Sequence, residues 1–326
     1  MAGLTLITTM KNEAPFILEW VAHYRTLGFD NIIICTNDCG DPTVRMARRL
    51  EHLGLARHHA TKIRPGGIHR SALRQAMRYE EARSADWIFI CDADEFLNIH
   101  AGAGRVSDLI SAAGPDADVI SVPWRNFGPN GQREFSESPV TEQFTMAERP
   151  YDPDLNPGAG KFVKSLFRNN GKFQRVGLHY PILREAEEAT ARWVHPDGTD
   201  HRAGPTNFET AQVNHYPLRA LDSFLVKRDR GRANHMGHDL GLDYWDRFDF
   251  DDVADHSIRR YDAEARPLLE ELQSDFRLRR HQARAADWHR AKAQDLRSRP
   301  EWADFVSALE ARIEAGRARI GEATSG

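Results

Sequence analysis

The chain has 326 residues, of which 40% are hydrophobic and 28% charged, the composition of an ordinary globular protein long enough to bury a large core. A formal net charge of -4 removes any global electrostatic reason to bind nucleic acid or an acidic membrane. The opening residues, Met1-Ala2-Gly3-Leu4-Thr5-Leu6-Ile7, do not form a secretory leader. No apolar stretch approaches the ~20 residues of a spanning helix. The expected location is therefore cytoplasmic, with no transmembrane segment and with peripheral attachment to the inner face of a membrane still compatible. The three cysteines, Cys35, Cys39 and Cys91, are odd in number and fall in or beside apolar runs, which suits free thiols in a reducing compartment.

In chain order, residues 4–8 form a short apolar strand, followed by the polar loop Thr9-Met10-Lys11-Asn12-Glu13. Pro15 then sits in the first turn of a helix, where its missing donor costs nothing. Phe16, Ile17, Trp20, Val21, Tyr24 and Leu27 recur at helical spacing, and Gly28 ends that helix. A second strand spans 31–36, a turn cluster follows at 37–42, and a helix carries Val44, Ala47 and Leu50. A third strand at 59–63 and a helix through Ala72, Leu73 and Ala76 lead to Trp87. Repeated strand–helix alternation predicts a mostly parallel sheet flanked by helices over about residues 1–125. From 124 to about 215 the chain is rich in Gly, Pro, Asn and aromatics, with short strands expected at 162–168, 192–195 and 212–216. Beyond 220 it becomes helical and highly charged.

The most informative stretch is Trp87-Ile88-Phe89-Ile90-Cys91-Asp92-Ala93-Asp94-Glu95-Phe96. An apolar, strand-length run ends in three carboxylates, where ligands of open α/β sheets bind. Asp92 and Asp94 are two apart, so extended backbone aims both to one side. A cation between them relieves their repulsion, and oxygen ligands of this kind suit Mg²⁺ or Mn²⁺ shared with phosphate. The structural alternative is a turn in which Asp94 caps a helix.

Several blocks, in order, resemble the nucleotide-sugar glycosyltransferases of the GT-A type, nearest to the family-2-like and family-92-like groups. They are Thr9-Met10-Lys11-Asn12-Glu13, Asn37-Asp38-Cys39-Gly40-Asp41, Asp92-Ala93-Asp94-Glu95-Phe96, Trp124-Arg125-Asn126-Phe127-Gly128, residues 161–168, Asn214-His215-Tyr216 and Lys227-Arg228-Asp229-Arg230-Gly231. The resemblance covers about residues 1–232. It implies a GT-A-like α/β domain, with a nucleotide-binding half at 1–125 and an acceptor-side half at 126–232, and a helical C-terminal extension at 233–326. It also implies metal-dependent transfer of a sugar from a nucleoside-diphosphate donor, a UDP-sugar, to a hydroxyl of a glycan or lipid-linked acceptor, with inversion, in glycan or surface polysaccharide synthesis.

By the same resemblance, Asp92, Asp94 and His215 hold Mn²⁺ or Mg²⁺, with His179 a rival for the imidazole position. The nucleotide-sugar contacts fall to Thr9, Lys11, Asn12, Glu13, Asp38, Arg70, Gln75, Asp92, Ala93 and Lys227. Each also has a structural explanation: Asn12 and Glu13 can cap a helix, Asp38 can close an Asx-turn, Arg70 and Gln75 can face solvent, and His215 can bond backbone. Lys164 alternates with Arg168 on one strand and can reach the site from a flap, while Arg230 reads as part of an exposed cationic face. An inverting transferase needs a base for the acceptor hydroxyl, and Glu134, Asp197 and Asp200 are the candidates in the acceptor-side loops. A nucleotidyltransferase would carry a Gly-rich loop after the first strand, and Thr9 to Glu13 has no glycine. A haloacid-type phosphatase would have Thr or Val where Phe96 stands. A non-catalytic nucleotide-binding relative is the remaining alternative.

Overall fold

The computed structural model describes residues 3–201, 207–231 and 240–323. β1 (Leu4–Met10), β2 (Asn31–Thr36) and β3 (Arg57–Ala60) lie side by side in parallel, linked by α1 (Ile17–Thr26) and α2 (Thr43–His52). α3 (Ile68–Ala76) and the single turn α4 (Glu80–Arg83) lead to β4 (Trp87–Ile90), which pairs in parallel on the other side of β1. β1, β2 and β4 are covered on both faces, whereas β3, at the sheet edge, is polar and only half-buried. Leu6, Ile32, Ile34 and Phe89 pack into one buried cluster, and Ile7, Ile33, Ile88 and Ile90 into another.

The chain continues through β5 (Glu95–Ile99), α5 (Val106–Ala113), β6 (Val119–Asn126), the turn α6 (Val140–Gln143) and β7 (Met146–Ala147). β8 (Val163–Arg168) follows, then the hairpin of β9 (Phe173–Val176) and β10 (Pro181–Leu183), then β11 (Trp193–Val194) and β12 (Ala211–His215). The main sheet has the order β3-β2-β1-β4-β8-β6-β12-β5, with β11 also pairing β6. β8 runs antiparallel between β4 and β6, and β12 is parallel to β6 and antiparallel to β5.

The expected α/β architecture with a helical C-terminal part is the one observed, and the strands expected at 162–168, 192–195 and 212–216 are β8, β11 and β12. Two features differ. The third strand lies at Arg57–Ala60, a little before its expected place, and β5 follows the carboxylates directly and crosses to the opposite edge of the sheet. The C-terminal helices are α7 (Leu221–Arg230), α8 (Leu242–Phe248), α9 (Asp262–Ser274), α10 (Phe276–Ser298) and α11 (Ala303–Ala323), with the short β13 (Val253–Ala254) before α9 paired to β7. They share the core with the sheet domain: Leu272, Leu278, Ala285 and Ala286 belong to its main cluster. Arg49 makes a two-point contact with Asp275, at 3.1 and 2.6 Å, and Gln282 donates to the Pro15 carbonyl. The boundary expected between 232 and 233 lies outside the described residues. No helix among the described residues is long and apolar enough to cross a membrane.

The link between β4 and β5 is pinned from below by α1. Trp20 Nε1 donates to the carbonyls of both Asp92 and Glu95 at 3.1 Å, and the Tyr24 hydroxyl donates to Glu95 O and accepts from Leu97 N. Trp20 is fully buried, so its apolar ring belongs to the core while its one polar atom holds the carboxylate turn. Trp20→Phe keeps an aromatic ring and deletes that donor. It should cost roughly 0.5–1.5 kcal/mol, the net worth of a lost hydrogen bond, because Asp92 O keeps Glu95 N and Glu95 O keeps the Tyr24 hydroxyl as donors. Urea denaturation checks this, and an unchanged midpoint would contradict it.

Candidate active site

Sheet register assembles the site. Glu95 opens β5, His215 closes β12 and Asn126 closes β6, and the pairing sets His215 beside Glu95 on one side and Asn126 on the other. Asp94 immediately precedes Glu95, and its carbonyl accepts from Tyr216 N at 2.8 Å. Ligand atoms of Asp94, Glu95 and His215 all lie within 4.8 Å of one another; Glu95 and His215 are buried and Asp94 is mostly so. His215 Nδ1 is 2.9 Å from Asn126 Oδ1, and its ring stacks on Trp124 at 4.2 Å between centroids. Burial drives the His215 pKa down to about 3 despite the Asp94 charge, so the imidazole is neutral at ordinary pH.

Two lysines neutralise the carboxylates. Lys164 is completely buried; its Nζ lies 2.8 Å from Asp92 Oδ2 and 3.3 Å from Glu95 Oε2, and it donates to Leu178 O at 3.2 Å. Burial disfavours its charge, but Asp92 and Glu95 outweigh that and raise its pKa. Lys227 Nζ is 2.7 Å from Asp94 Oδ2 and donates to Pro217 O at 2.7 Å. Burial alone would raise the Asp94 pKa; the Lys227 ammonium above all, with the Arg219 guanidinium, reverses that and holds its carboxyl far below the usual range. Glu95 goes the other way: burial, with Asp92 and Asp94 adding to it, pushes its pKa up to about 8 against the pull of Lys164. Glu95 Oε1 is buried without a hydrogen-bond partner. An orphaned carboxylate oxygen, a second carboxylate and a neutral imidazole make a donor set that fits a divalent cation such as Mn²⁺ or Mg²⁺.

Beside this cluster lies a cleft lined by Asn12, Glu13, Asp94, Lys227, Arg219 and Arg230, with His289 of α10 also on its wall. Glu13 is 4% exposed and is held by two guanidiniums, Arg219 at 3.0 Å and Arg230 at 2.5 Å. Arg219 also donates to Ala93 O at 2.9 Å, and its guanidinium lies 3.7 Å from the centre of the Phe16 ring. Asn12 (φ 55°), Asp38 (φ 42°) and Arg219 (φ 56°) all adopt left-handed backbone, which non-glycine residues rarely do outside turns and functional sites.

The structure brings Asn12, Glu13, Ala93, Asp94, His215 and Lys227 together. Asp92 adjoins them, but its carboxylate faces Lys164, and the third member of the metal-type cluster among the described residues is Glu95. His179 donates through Nδ1 to Val163 O at 2.9 Å, and its ring sits 5.3 Å from that of Trp124, outside that cluster. Thr9 Oγ1 is 3.1 Å from His69 Nδ1, and the Lys11 carbonyl accepts from Arg230. Asp38 is exposed at the end of β2. Arg70 is exposed, and Gln75 is occupied by His59, Lys62 O and Ser71 O. Glu134 is exposed just before buried Phe135. Asp197 closes a turn on Thr199, next to Gly198 packed on the Ala113 carbonyl, and Asp200 bridges back to Val194. Because β11 pairs with the Val119 end of β6, these two aspartates lie toward the opposite end of that strand from Asn126.

Arg230 corrects an expectation: it turns inward onto Glu13 rather than forming an exposed face, because a buried carboxylate requires a counter-charge. Sequence reasoning missed Arg219 and the role of Glu95. Arg219 follows Asn214-His215-Tyr216 too closely to read as anything but a loop residue. Glu95 sits in the carboxylate motif itself, and the signal available for it was the apolar Phe96-Leu97 that follows.

No family model matches the chain. A glycosyltransferase family 92 protein of Oryza sativa subsp. japonica is 22% identical over 152 residues, 44% of this chain and 24% of its own length. One of Ricinus communis is 25% identical over 150 residues, 44% of this chain and 26% of its own. The chain thus spans about a quarter of the length of the curated relatives it matches. Among solved structures, S. aureus TarS 1-349 is similar at 12% identity and a TM-score of 0.36, over 98% of this chain and 88% of that one. The resemblance to glycosyltransferases carried by the sequence motifs is met by curated relatives of that name.

Proposed function

We propose that the protein is a metal-dependent glycosyltransferase that moves a sugar from a UDP-sugar to a hydroxyl of a glycan or lipid-linked acceptor. The observation that carries this is the buried Asp94–Glu95–His215 cluster at the sheet's strand ends, beside a cleft lined with cations. Asp94, Glu95 and His215 would hold Mn²⁺ or Mg²⁺, and that ion supplies Lewis-acid stabilisation of a departing diphosphate. Lys227, already against Asp94, adds a second positive charge where a diphosphate would lie. The Arg219–Glu13–Arg230 group fixes the wall of the cleft and joins the loop after β1 to α7. Transfer with inversion, in glycan or surface polysaccharide assembly at the cytoplasmic side, is the reading the sequence motifs favour. Incubation with UDP-sugars, Mn²⁺ and a panel of saccharide acceptors, with products identified by mass spectrometry and their anomeric configuration by NMR, tests it. New glycosides of inverted configuration are expected. Hydrolysis to free sugar alone would overturn transfer.

The raised pKa of Glu95 has a signed consequence. A divalent cation binds the carboxylate, and at neutral pH a proton competes for it. Mn²⁺ affinity should therefore rise as pH increases from 6 toward and through about 8, where Glu95 loses its proton. Glu95→Gln should bind Mn²⁺ weakly and lose this pH dependence. Calorimetric titrations across that range check it, and a wild-type affinity that does not change with pH would contradict it.

A further inference from the structure

Glu148 follows β7 and is 2% exposed, yet it touches none of the clustered carboxylates. Its Oε1 accepts from the Asn126 backbone N–H at 2.7 Å and from Asn126 Nδ2 at 2.9 Å, and its own N–H donates to Asn126 O at 2.8 Å. Asn156 Nδ2 approaches its other oxygen at 3.4 Å, and Arg125 Nε donates to its carbonyl. We propose that Glu148 is a positioning residue: acting through the Asn126 side-chain amide, it fixes the tautomer of His215 so that Nε2 presents its lone pair to a cation. This rests on the metal-dependent reading given above.

Burial pushes the Glu148 pKa up to about 7, so above that pH it is a carboxylate that can only accept, and the NH₂ end of the Asn126 amide must face it. The carbonyl end then faces His215, with Oδ1 2.9 Å from Nδ1. An amide oxygen can only accept, so His215 must carry its proton on Nδ1. A neutral imidazole has one such proton, which leaves Nε2 as the basic nitrogen. Remove the acceptor at 148 and the amide is free to turn over. Its NH₂ would then meet Nδ1, the proton would move to Nε2, and the ligand lone pair would be lost. Hydrogen bonds of this kind behind a metal-binding histidine are typically worth roughly 10- to 100-fold in metal affinity.

The test combines two readouts on the full chain: the His215 tautomer by ¹⁵N NMR of metal-free protein, and Mn²⁺ affinity by calorimetry. Wild type should show the Nδ1–H form; an Nε2–H form there overturns the proposal without any mutation. Glu148→Leu should mix the tautomers and weaken Mn²⁺ binding roughly 10- to 100-fold. Glu148→Gln, whose amide oxygen can still accept from Asn126, should stay close to wild type. In the Glu148→Leu background, Asn126→Asp should restore both readouts, because a carboxylate at 126 accepts from Nδ1 unaided. A folded Glu148→Leu protein that keeps the Nδ1–H tautomer and full affinity overturns the proposal. So does one that loses turnover alone, since Glu148 would then touch the reacting atoms. Wild type with the Nδ1–H tautomer but no Mn²⁺ binding would support the relay and sink the metal-dependent reading, so the two failures are distinguishable.

Discussion

Asp94→Asn should bind UDP in the presence of Mn²⁺ at least ~100-fold more weakly than wild type and turn over roughly 10²- to 10³-fold more slowly. The carboxamide keeps the size of the side chain and can still accept from Lys227, so the fold should survive, as circular dichroism would show. What goes is a full negative charge that Lys227 above all, with Arg219, holds ionised. No other described carboxylate stands in its place: Glu95 carries a competing proton, and Asp92 is engaged by Lys164. His215→Ala should weaken metal binding less than Asp94→Asn, because it removes a neutral ligand rather than a charge. Unaltered affinity for UDP plus Mn²⁺ in Asp94→Asn would contradict the metal assignment.

Lys164→Met should be the most destabilising single change at the site. The side chain is wholly buried, and methionine matches its length, so packing is largely kept. What is lost is the counter-charge to Asp92 and Glu95. Breaking a buried pair on one side typically costs about 3–5 kcal/mol, because the remaining charge is stranded. The loss should widen as pH rises. Without the ammonium, the fully buried Glu95 stays in the interior only by holding its proton, which the unfolded chain releases above its ordinary carboxylate range. The folded state then binds more protons than the unfolded one, and stability falls with increasing pH. Urea denaturation of both proteins at pH 6 and pH 8 measures this. A Lys164→Met protein as stable as wild type at both values would show that the lysine is not the counter-ion.

What was legible in the sequence was whatever local pattern controls. The run at 87–91 is apolar on both faces, and it became a strand covered on both faces. The carboxylates fell at its end because a charged residue cannot continue such a strand without a partner. Helix α1 was legible from spacing alone, though not the use of Trp20 Nε1 to hold the Asp92 and Glu95 carbonyls. The crossing into β5 was not legible, because its partner strand β12 lies more than a hundred residues further along the chain. The same distance hid the cluster itself: Glu95 meets His215 only through that register. Lys164 sat on a strand whose alternation left solvent and site equally open, and only the carboxylates opposite decide for the interior. Glu13 was read as a ligand for a nucleotide; its two arginine partners come from residues 219 and 230, which no local pattern connects to the loop after β1.

A divalent cation and a nucleoside diphosphate are expected to bind together at Asp94, Glu95 and His215. Calorimetric titration of UDP, GDP and CMP into the protein, with Mn²⁺ and then with chelator, tests it most directly. Binding of one of these nucleotides, UDP first, is expected to need the metal and to disappear on chelation. Binding of none of them under either condition would contradict it, and Asp92 and Asp94 would then be only the turn at the end of a buried strand.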